Sequence, residues 1–201
     1  MMSPAVIKYT SGMSRWEPEG RARLEQAALE LYQERGFEQT TVADIAGRAG
    51  LTERTFFRHF ADKREVLFGG AGALNDLLVS SVAETPDSVA PIEAIAKALE
   101  AAGALLQKRR EFALKRQRVI DANTLLQERE LIKLASLASA LADALRKRGV
   151  DDPAASLTAE AGIAVFKIAF ARWINERDPA PLPEIIRALF DDLKTVTGGR
   201  L

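Results

Sequence analysis

Thr41 to Phe60 reads TVADIAGRAGLTERTFFRHF, and its punctuation decides the fold. A threonine precedes each of two short helical stretches, Thr41 before Val42 and Thr52 before Glu53. A hydroxyl at that position accepts a hydrogen bond from the free amides of the first helical turn. Asp44, three residues after Thr41, adds a weak capping box. Gly50 ends the first helix, and a Gly-Leu turn leads into the second. Val42, Ile45 and Ala49 face inward from the first. Phe56 and Phe60, four apart, share the buried side of the second. Two capped short helices on a tight glycine turn have the layout of a helix-turn-helix.

The chemistry of the second helix points to DNA. Arg54, in its first turn, is placed to donate two hydrogen bonds to guanine O6 and N7. Thr55 can pack its methyl against thymine or bond a phosphate. Arg58 lies one turn after Arg54 on the same face. Phe57 projects outward, because Phe56 and Phe60 claim the core. His59 and Lys63 follow, suited to phosphate. Thr41 at the start of the preceding helix, and a fourth helix capped by Asp62 with Glu65, offer further amides to phosphate. From Arg48 to Arg64 five basic residues face two acidic ones, a local net of +3. The bland alternative for any one of these residues is a solvated basic face.

Outside this stretch, nearly every segment has helical period and none alternates like a strand. Residues 1–19 lack an apolar period and read as a flexible arm, with Lys8 and Arg15 as its cations. Helix 1 is expected from Arg21 to Arg35, stopped by Gly36, with Phe37 folding back on Tyr32. Leu24, Leu31, Phe37, Val42, Ile45, Phe56, Phe60 and Leu67 form a small core. Residues 20–68 therefore read as one domain and 69–201 as a larger one. Gly69-Gly70-Ala71-Gly72 at their junction reads as a hinge or a plain break. Further helices are expected from Pro91, over Phe112–Asp121, over Thr124–Lys147, from Asp152 to about Arg177, and over Pro183–Val196. The total is about nine helices in an all-α fold.

Composition excludes more than it selects. The chain has 201 residues, no cysteine, one histidine and a formal net charge of zero. Disulfides, thiolate metal sites and a cysteine nucleophile are excluded. A histidine-based triad or metal site would have to use His59, inside the helix-turn-helix. No catalytic constellation, metal site or cofactor is expected. A neutral chain with a small basic patch suits a site-specific binder rather than a general polyanion binder. No stretch reads as a membrane span, since Gly162–Ala171 is short and carries Lys167. No signal peptide is visible, so the cytoplasm is the expected location.

Residues 36–68, GFEQTTVADIAGRAGLTERTFFRHFADKREVLF, resemble the TetR-type transcriptional regulators. The run carries that family's glycine-aromatic pair, Thr-Thr-Val, Ile-Ala, Ala-Gly-Leu, paired aromatics, His-Phe, Lys and Leu-Phe, over about a sixth of the chain. The resemblance implies a homodimer with an N-terminal DNA-binding domain and a helical domain that binds a small molecule and dimerises. It implies a repressor released from a near-palindromic operator when the ligand binds. By position it assigns Thr41, Val42, Thr52, Glu53, Arg54, Thr55, Phe57, Arg58, His59 and Lys63 to DNA. Phe57 departs from a common tyrosine and lacks the hydroxyl that would donate to a phosphate.

In the larger domain the family's pocket position brings forward Phe112, Phe166, Phe170 and Trp173 as an apolar lining. Arg116, Arg118 and Asn123 are the polar candidates. Seven basic and two acidic residues between Lys97 and Arg118 allow an anionic ligand such as an acyl-coenzyme A. The effector is expected to be hydrophobic or amphipathic. Ala161, Val165, Ile168, Ile185, Leu189 and Leu193 are expected at the dimer interface. Two rival readings stand beside the regulator: a helical interaction module that does not bind DNA, and an enzyme.

Overall fold

The computed structural model describes residues 16–198, with side chains from Glu19 onward. Among the described residues there are nine α-helices, one short 3-10 turn and no strand. They divide into two compact units, one ending at Gly69 and the other beginning at Gly70.

The first unit contains α1 (Trp16–Arg35), α2 (Val42–Arg48), α3 (Glu53–His59) and a 3-10 turn (Glu65–Phe68). α1 begins five residues before the expected Arg21, so the last residues assigned to the arm are helical. The rest of the arm, with Lys8 and Arg15, lies outside the described residues. α1 ends at Gly36, where φ is 87°, a conformation glycine adopts without steric cost. The Gly36 amide bonds the Tyr32 carbonyl at 3.0 Å. The Phe37 ring meets Tyr32 edge-on, with centroids 5.2 Å apart.

α2 ends in a Schellman motif. Gly50, at φ 63°, donates to Gly47 at 3.0 Å, and Leu51 donates to Ala46 at 2.8 Å. Two orphan carbonyls are satisfied and the chain reverses directly into α3. The core of this unit is Leu24, Ala28, Leu31, Phe37, Ile45, Phe56, Phe60 and Leu67, all buried, whereas Val42 is only half-buried.

The expected fourth helix differs at its start. Asp62 Oδ1 accepts from the amides of Arg64 (2.8 Å) and Glu65 (3.1 Å), but a 3-10 turn follows, not an α-helix. α4 begins only at Ala71. Gly69 and Gly70 form the break, both with negative φ.

The second unit holds α4 (Ala71–Glu84), α5 (Pro91–Gln107), α6 (Arg110–Asp121), α7 (Thr124–Lys147), α8 (Ala154–Asn175) and α9 (Leu182–Thr197). α5 packs against α4, α8 and α9, while α7 packs against α4, α6 and α8. Their shared core includes Ile95, Leu99, Leu141, Leu145, Phe166, Trp173 and Ile186. α8 begins at Ala154, two residues after the expected Asp152. The Asp152 carboxylate accepts from Arg146 (2.6 and 3.1 Å) and from the Ser156 hydroxyl (2.9 Å).

Two stretches, residues 65–84 and 154–175, are long and apolar enough to cross a membrane by length and composition. That corrects the sequence expectation that none is. The first is interrupted by the Gly69-Gly70 break. The second is α8, which buries Ala159, Ile163, Phe166 and Trp173 in the core.

α8 and α5 approach closely at Gly162, where an added Cβ would stand 2.3 Å from Ile95 Cγ2. Ile95 is fully buried and branched, so it cannot swing away. Gly162→Ala should therefore destabilise the chain by about 1–3 kcal/mol through overpacking. That outweighs the ~1 kcal/mol that alanine gains in helix propensity. Urea unfolding checks the sign, and a stabilised variant would contradict the close approach.

Candidate nucleic-acid interface

α3 is seven residues long and presents two faces. Phe56 is fully buried and tilts against Phe60, with ring centroids 5.6 Å apart. Away from it Thr52, Glu53, Arg54, Phe57 and Arg58 are exposed and Thr55 is half-exposed, while His59, one turn after Phe56, is half-exposed with its Nε2 buried. Phe57 is 55% exposed, and its ring stands edge-on to Phe56 at 5.5 Å. The Thr52 hydroxyl accepts from the Thr55 amide at 3.2 Å, which fixes the first turn. Arg54 follows directly.

α2 supports this face. The Thr41 hydroxyl accepts from the Asp44 amide at 3.1 Å, and Asp44 Oδ2 accepts from the Thr41 amide at 2.9 Å. The two form a closed capping box. The backbone hydrogen bond from Thr41 holds the Asp44 carboxyl below its usual range, helped by the Thr41 hydroxyl and Arg35. A depressed carboxyl stabilises the fold above the unfolded carboxylate range and loses that contribution only as pH falls through the folded value. The box is therefore closed at neutral pH. Thr41 is exposed and Val42 half-buried.

Of the ten residues expected at DNA, Thr41, Thr52, Glu53, Arg54, Phe57 and Arg58 are exposed and Val42 and Thr55 half-buried, whereas His59 turns its buried Nε2 toward Gly20 of α1. Lys63 is the other exception. Its ammonium donates to the carbonyls of Phe37 (2.9 Å), Glu38 (3.3 Å) and Thr40 (3.0 Å), and lies 4.3 Å from the Phe37 ring centroid. All three of its N–H donors have acceptors. Lys63 is a clamp on the α1–α2 connection, not an open phosphate ligand. Two neighbours complete the clamp. The Tyr32 hydroxyl donates to the Lys63 carbonyl at 2.6 Å, and the fully buried Thr40 hydroxyl donates to Gly36 at 2.8 Å. Burial, with Asp62 nearby, pushes the Tyr32 phenol up, so it remains a donor.

Two further expectations are corrected. The amides offered to phosphate after Asp62 are already bonded to its carboxylate. The local charge is also smaller than a count suggests. Arg48 forks onto Glu34 at 2.9 and 2.8 Å with Glu30 at 3.6 Å, and Arg64 pairs with Asp62 at 2.5 Å. No group of three or more His, Cys, Asp or Glu residues among the described ones could hold a metal.

Residues 25–68 match the family profile of bacterial regulatory proteins of the tetR type, and residues 89–198 match the MftR C-terminal domain. The second match alone spans more than half of the chain. The chain belongs to the tetR family. It is 37% identical over 81 residues to the HTH-type transcriptional regulator TcmR of Streptomyces glaucescens, covering 40% of this chain and 36% of that protein. It is 25% identical over 171 residues to a Mycobacterium tuberculosis protein named as a mycofactocin biosynthesis transcriptional regulator, MftR, covering 84% of this chain and 86% of that one. The chain spans less than half the length of several curated relatives that it matches, 36% of TcmR among them. The fold resembles the crystal structure of the regulator FadR from Bacillus subtilis in complex with stearoyl-CoA. The TM-score is 0.61 at 18% identity, over 86% of this chain and 96% of that one.

The tetR-family pocket and interface residues expected in the second unit do not behave as one set. Phe166 and Trp173 are core residues, and Phe170 packs between them at 5.9 and 5.7 Å. Phe112 lies under the Arg109 guanidinium at 4.3 Å. Arg116 pairs with Glu130 at 3.0 Å. Arg118 is exposed, and Asn123 caps α7 by accepting from Leu126 at 3.3 Å. None of the seven lines the cleft between α4 and the end of α7 or the one beside Ala138, Ala142 and Glu160. Among the interface candidates, Val165 and Ile185 are corrected to protomer core, at 5% and 3% exposure. Ile168 is 59% exposed, and Ala161, Leu189 and Leu193 are half-buried.

The clamp predicts a stability effect. Lys63→Met leaves three carbonyls without their charged donor and should cost about 2 kcal/mol, the scale of hydrogen bonds to a charged group. Thermal unfolding beside the wild type measures it, and an unchanged midpoint would refute the clamp.

Proposed function

We propose that this protein is a ligand-responsive, sequence-specific DNA-binding regulator. It acts as a cytoplasmic homodimeric repressor that leaves a near-palindromic operator when a small molecule binds. The observation that carries the reading is the exposed Arg54–Phe57–Arg58 set on a helix anchored by the fully buried Phe56. Arg54 is the base reader, since bidentate donation to guanine distinguishes that base from the others. Thr41, Thr52 and Thr55 position the helix on phosphates, and Phe57 packs its ring on the sugar-phosphate backbone. The similarity to the transcriptional regulators TcmR and MftR supports the same reading.

Selection of bound sites from a random DNA pool tests it. A half-site repeated with two-fold symmetry is expected, and no enrichment would refute DNA binding. Arg54→Ala should lose about 1–3 kcal/mol at one base position per half-site. Lys63→Met should leave the slope of affinity against salt unchanged. A true phosphate ligand would reduce that slope by about 1.

The dimer rests on a second face of α8. Leu157 (67% exposed) and Ile168 (59%) stand in line with Ala161 and Ala164, at the i, i+4, i+7, i+11 spacing of one helical stripe. On α9, Leu189, Leu193 and the 58% exposed Val196 continue it. Two copies meeting on such a stripe make a self-complementary contact. Ile168→Asp should convert dimer to monomer by light scattering while leaving helical content intact. An unaffected dimer would place the interface elsewhere.

A hydrophobic or amphipathic effector fits the second unit. Trp173 is fully buried, and its indole N–H has no acceptor among the described residues, although such donors are ordinarily satisfied. A ligand reaching it between Phe166 and Phe170 would supply the acceptor. FadR of B. subtilis, similar in fold, was crystallised with stearoyl-CoA.

A further inference from the structure

A second site stands in the second unit, away from Trp173 and independent of DNA binding. A cleft of ≈ 400 Å³ opens between Val79 and Ala83 of α4, Asp87 of the α4–α5 connection, and Ala144, Lys147 and Arg148 at the end of α7. Its volume lies within the range of small-molecule sites.

Arg148 is the decisive residue. Its side chain is only 7% exposed. Nη2 donates to the carbonyls of Pro86 (2.8 Å) and Val89 (3.2 Å). Nε and Nη1 are buried without a hydrogen-bond partner among the described residues. Asp87 Oδ1 stands 3.8 Å from Nε and its side chain is 89% exposed, too far for a hydrogen bond. A guanidinium keeps its charge at any ordinary pH, so it cannot escape the penalty by losing a proton. Two of its three nitrogens have left water for nothing visible.

Its backbone is fixed as well. Gly149, at φ 83°, donates to Arg146 at 2.9 Å, and Val150 donates to Leu145 at 3.1 Å, a second Schellman motif. Favourable placement of cations at a helix C-terminus explains Arg146 and Lys147 as ordinary dipole partners. It does not explain a buried, half-satisfied arginine beside an open cleft.

We propose that this cleft binds the carboxylate of a small organic acid with a short apolar body. Nη2 is taken by the two carbonyls, so a carboxylate oxygen would accept a single charge-assisted hydrogen bond from Nε or from Nη1. Lys147, exposed on the same cleft, adds a second positive charge. Val79, Ala83 and Ala144 supply apolar wall. Asp87 is a loose internal stand-in. An entering carboxylate displaces it and replaces a 3.8 Å ion pair with a hydrogen bond of about 2.8 Å. Inorganic phosphate shares the oxyanion chemistry but not the apolar body.

Calorimetric titration of the full chain with sodium butyrate, at fixed pH and ionic strength, tests the site. Butanol and sodium phosphate serve as the comparison probes. Saturable binding of butyrate, one per chain, with no binding of butanol, is expected. Asp87→Asn, at an exposed position, should tighten butyrate about fivefold, and Lys147→Gln should weaken it about fivefold, the scale of one nearby surface charge. Arg148→Gln should abolish it. If that variant fails to fold because the connection loses its anchor, the two surface variants decide alone. The proposal is overturned by no saturable butyrate binding, by equal binding of butanol, or by identical affinities in wild type, Asp87→Asn and Lys147→Gln. Binding of phosphate without butyrate overturns the carboxylate assignment.

Discussion

Burial of Phe56 is the constraint on which the first unit depends. α2 and α3 are seven residues each, too short to persist in water on propensity alone. They exist because Ile45, Ala46 and Phe56 enter the core beside Leu24, Ala28 and Leu31 of α1. Once Phe56 is inside, the helical period leaves Arg54, Phe57 and Arg58 no position but outside. The exposed face is thus a geometric consequence of the buried one. The caps at Thr41 and Thr52 and the Schellman turn at Gly50 set where each short helix starts and stops. Lys63, Tyr32 and Thr40 close the connection that delivers α2 to its place. Polar groups here are spent on precision of the turn rather than on contact with a partner.

The same economy shapes the charge. The chain is neutral, and in the first unit several cations are used within the fold. Arg23 reaches the Ala49 carbonyl, Arg21 reaches the Gly69 carbonyl, Arg35 pairs with Asp44, and Arg48 forks onto Glu34. These pairs are mostly exposed and individually worth little, but each ties α1 to a different point of α2 or the turn after α3. The charge left for a polyanion is smaller than the sequence count of +3. A binder built so draws less on the salt-dependent phosphate attraction and more on direct contacts to bases.

What could be read from the sequence follows the same physics. Local signals were legible: Thr41 and Thr52 as caps, Gly36 and Gly50 as stops, and α7 to the residue. Each depends on neighbours within a few positions. The two phenylalanines of α3 were legible because one helical period assigns both. Lys63 was not, because its acceptors lie 23 to 26 residues away in sequence and no local pattern reports them. The 3-10 turn after Asp62 was missed because its capping chemistry is the same as that of an α-helix. Val165 and Ile185 were misplaced for a related reason. Hydrophobicity marks a residue for burial but does not say whether its own protomer or another buries it.

α8 shows how far that ambiguity extends. Its 22 residues pass a membrane test by composition because the helix is apolar around most of its circumference. One face, with Ala155, Ala159, Gly162, Phe166, Ala169 and Trp173, is consumed by the protomer core. The small residues there let α5 approach until Ile95 touches the Gly162 backbone. On the opposite stripe Leu157, Ala164 and Ile168 are exposed and Ala161 is half-buried among the described residues. Exposed charges at Glu160, Lys167 and Arg172 separate the two faces, and such charges are costly in hydrocarbon. A helix with two apolar faces divided by charge needs two protein partners. The first is its own core. In the dimer proposed above, the second is another copy of the same helix.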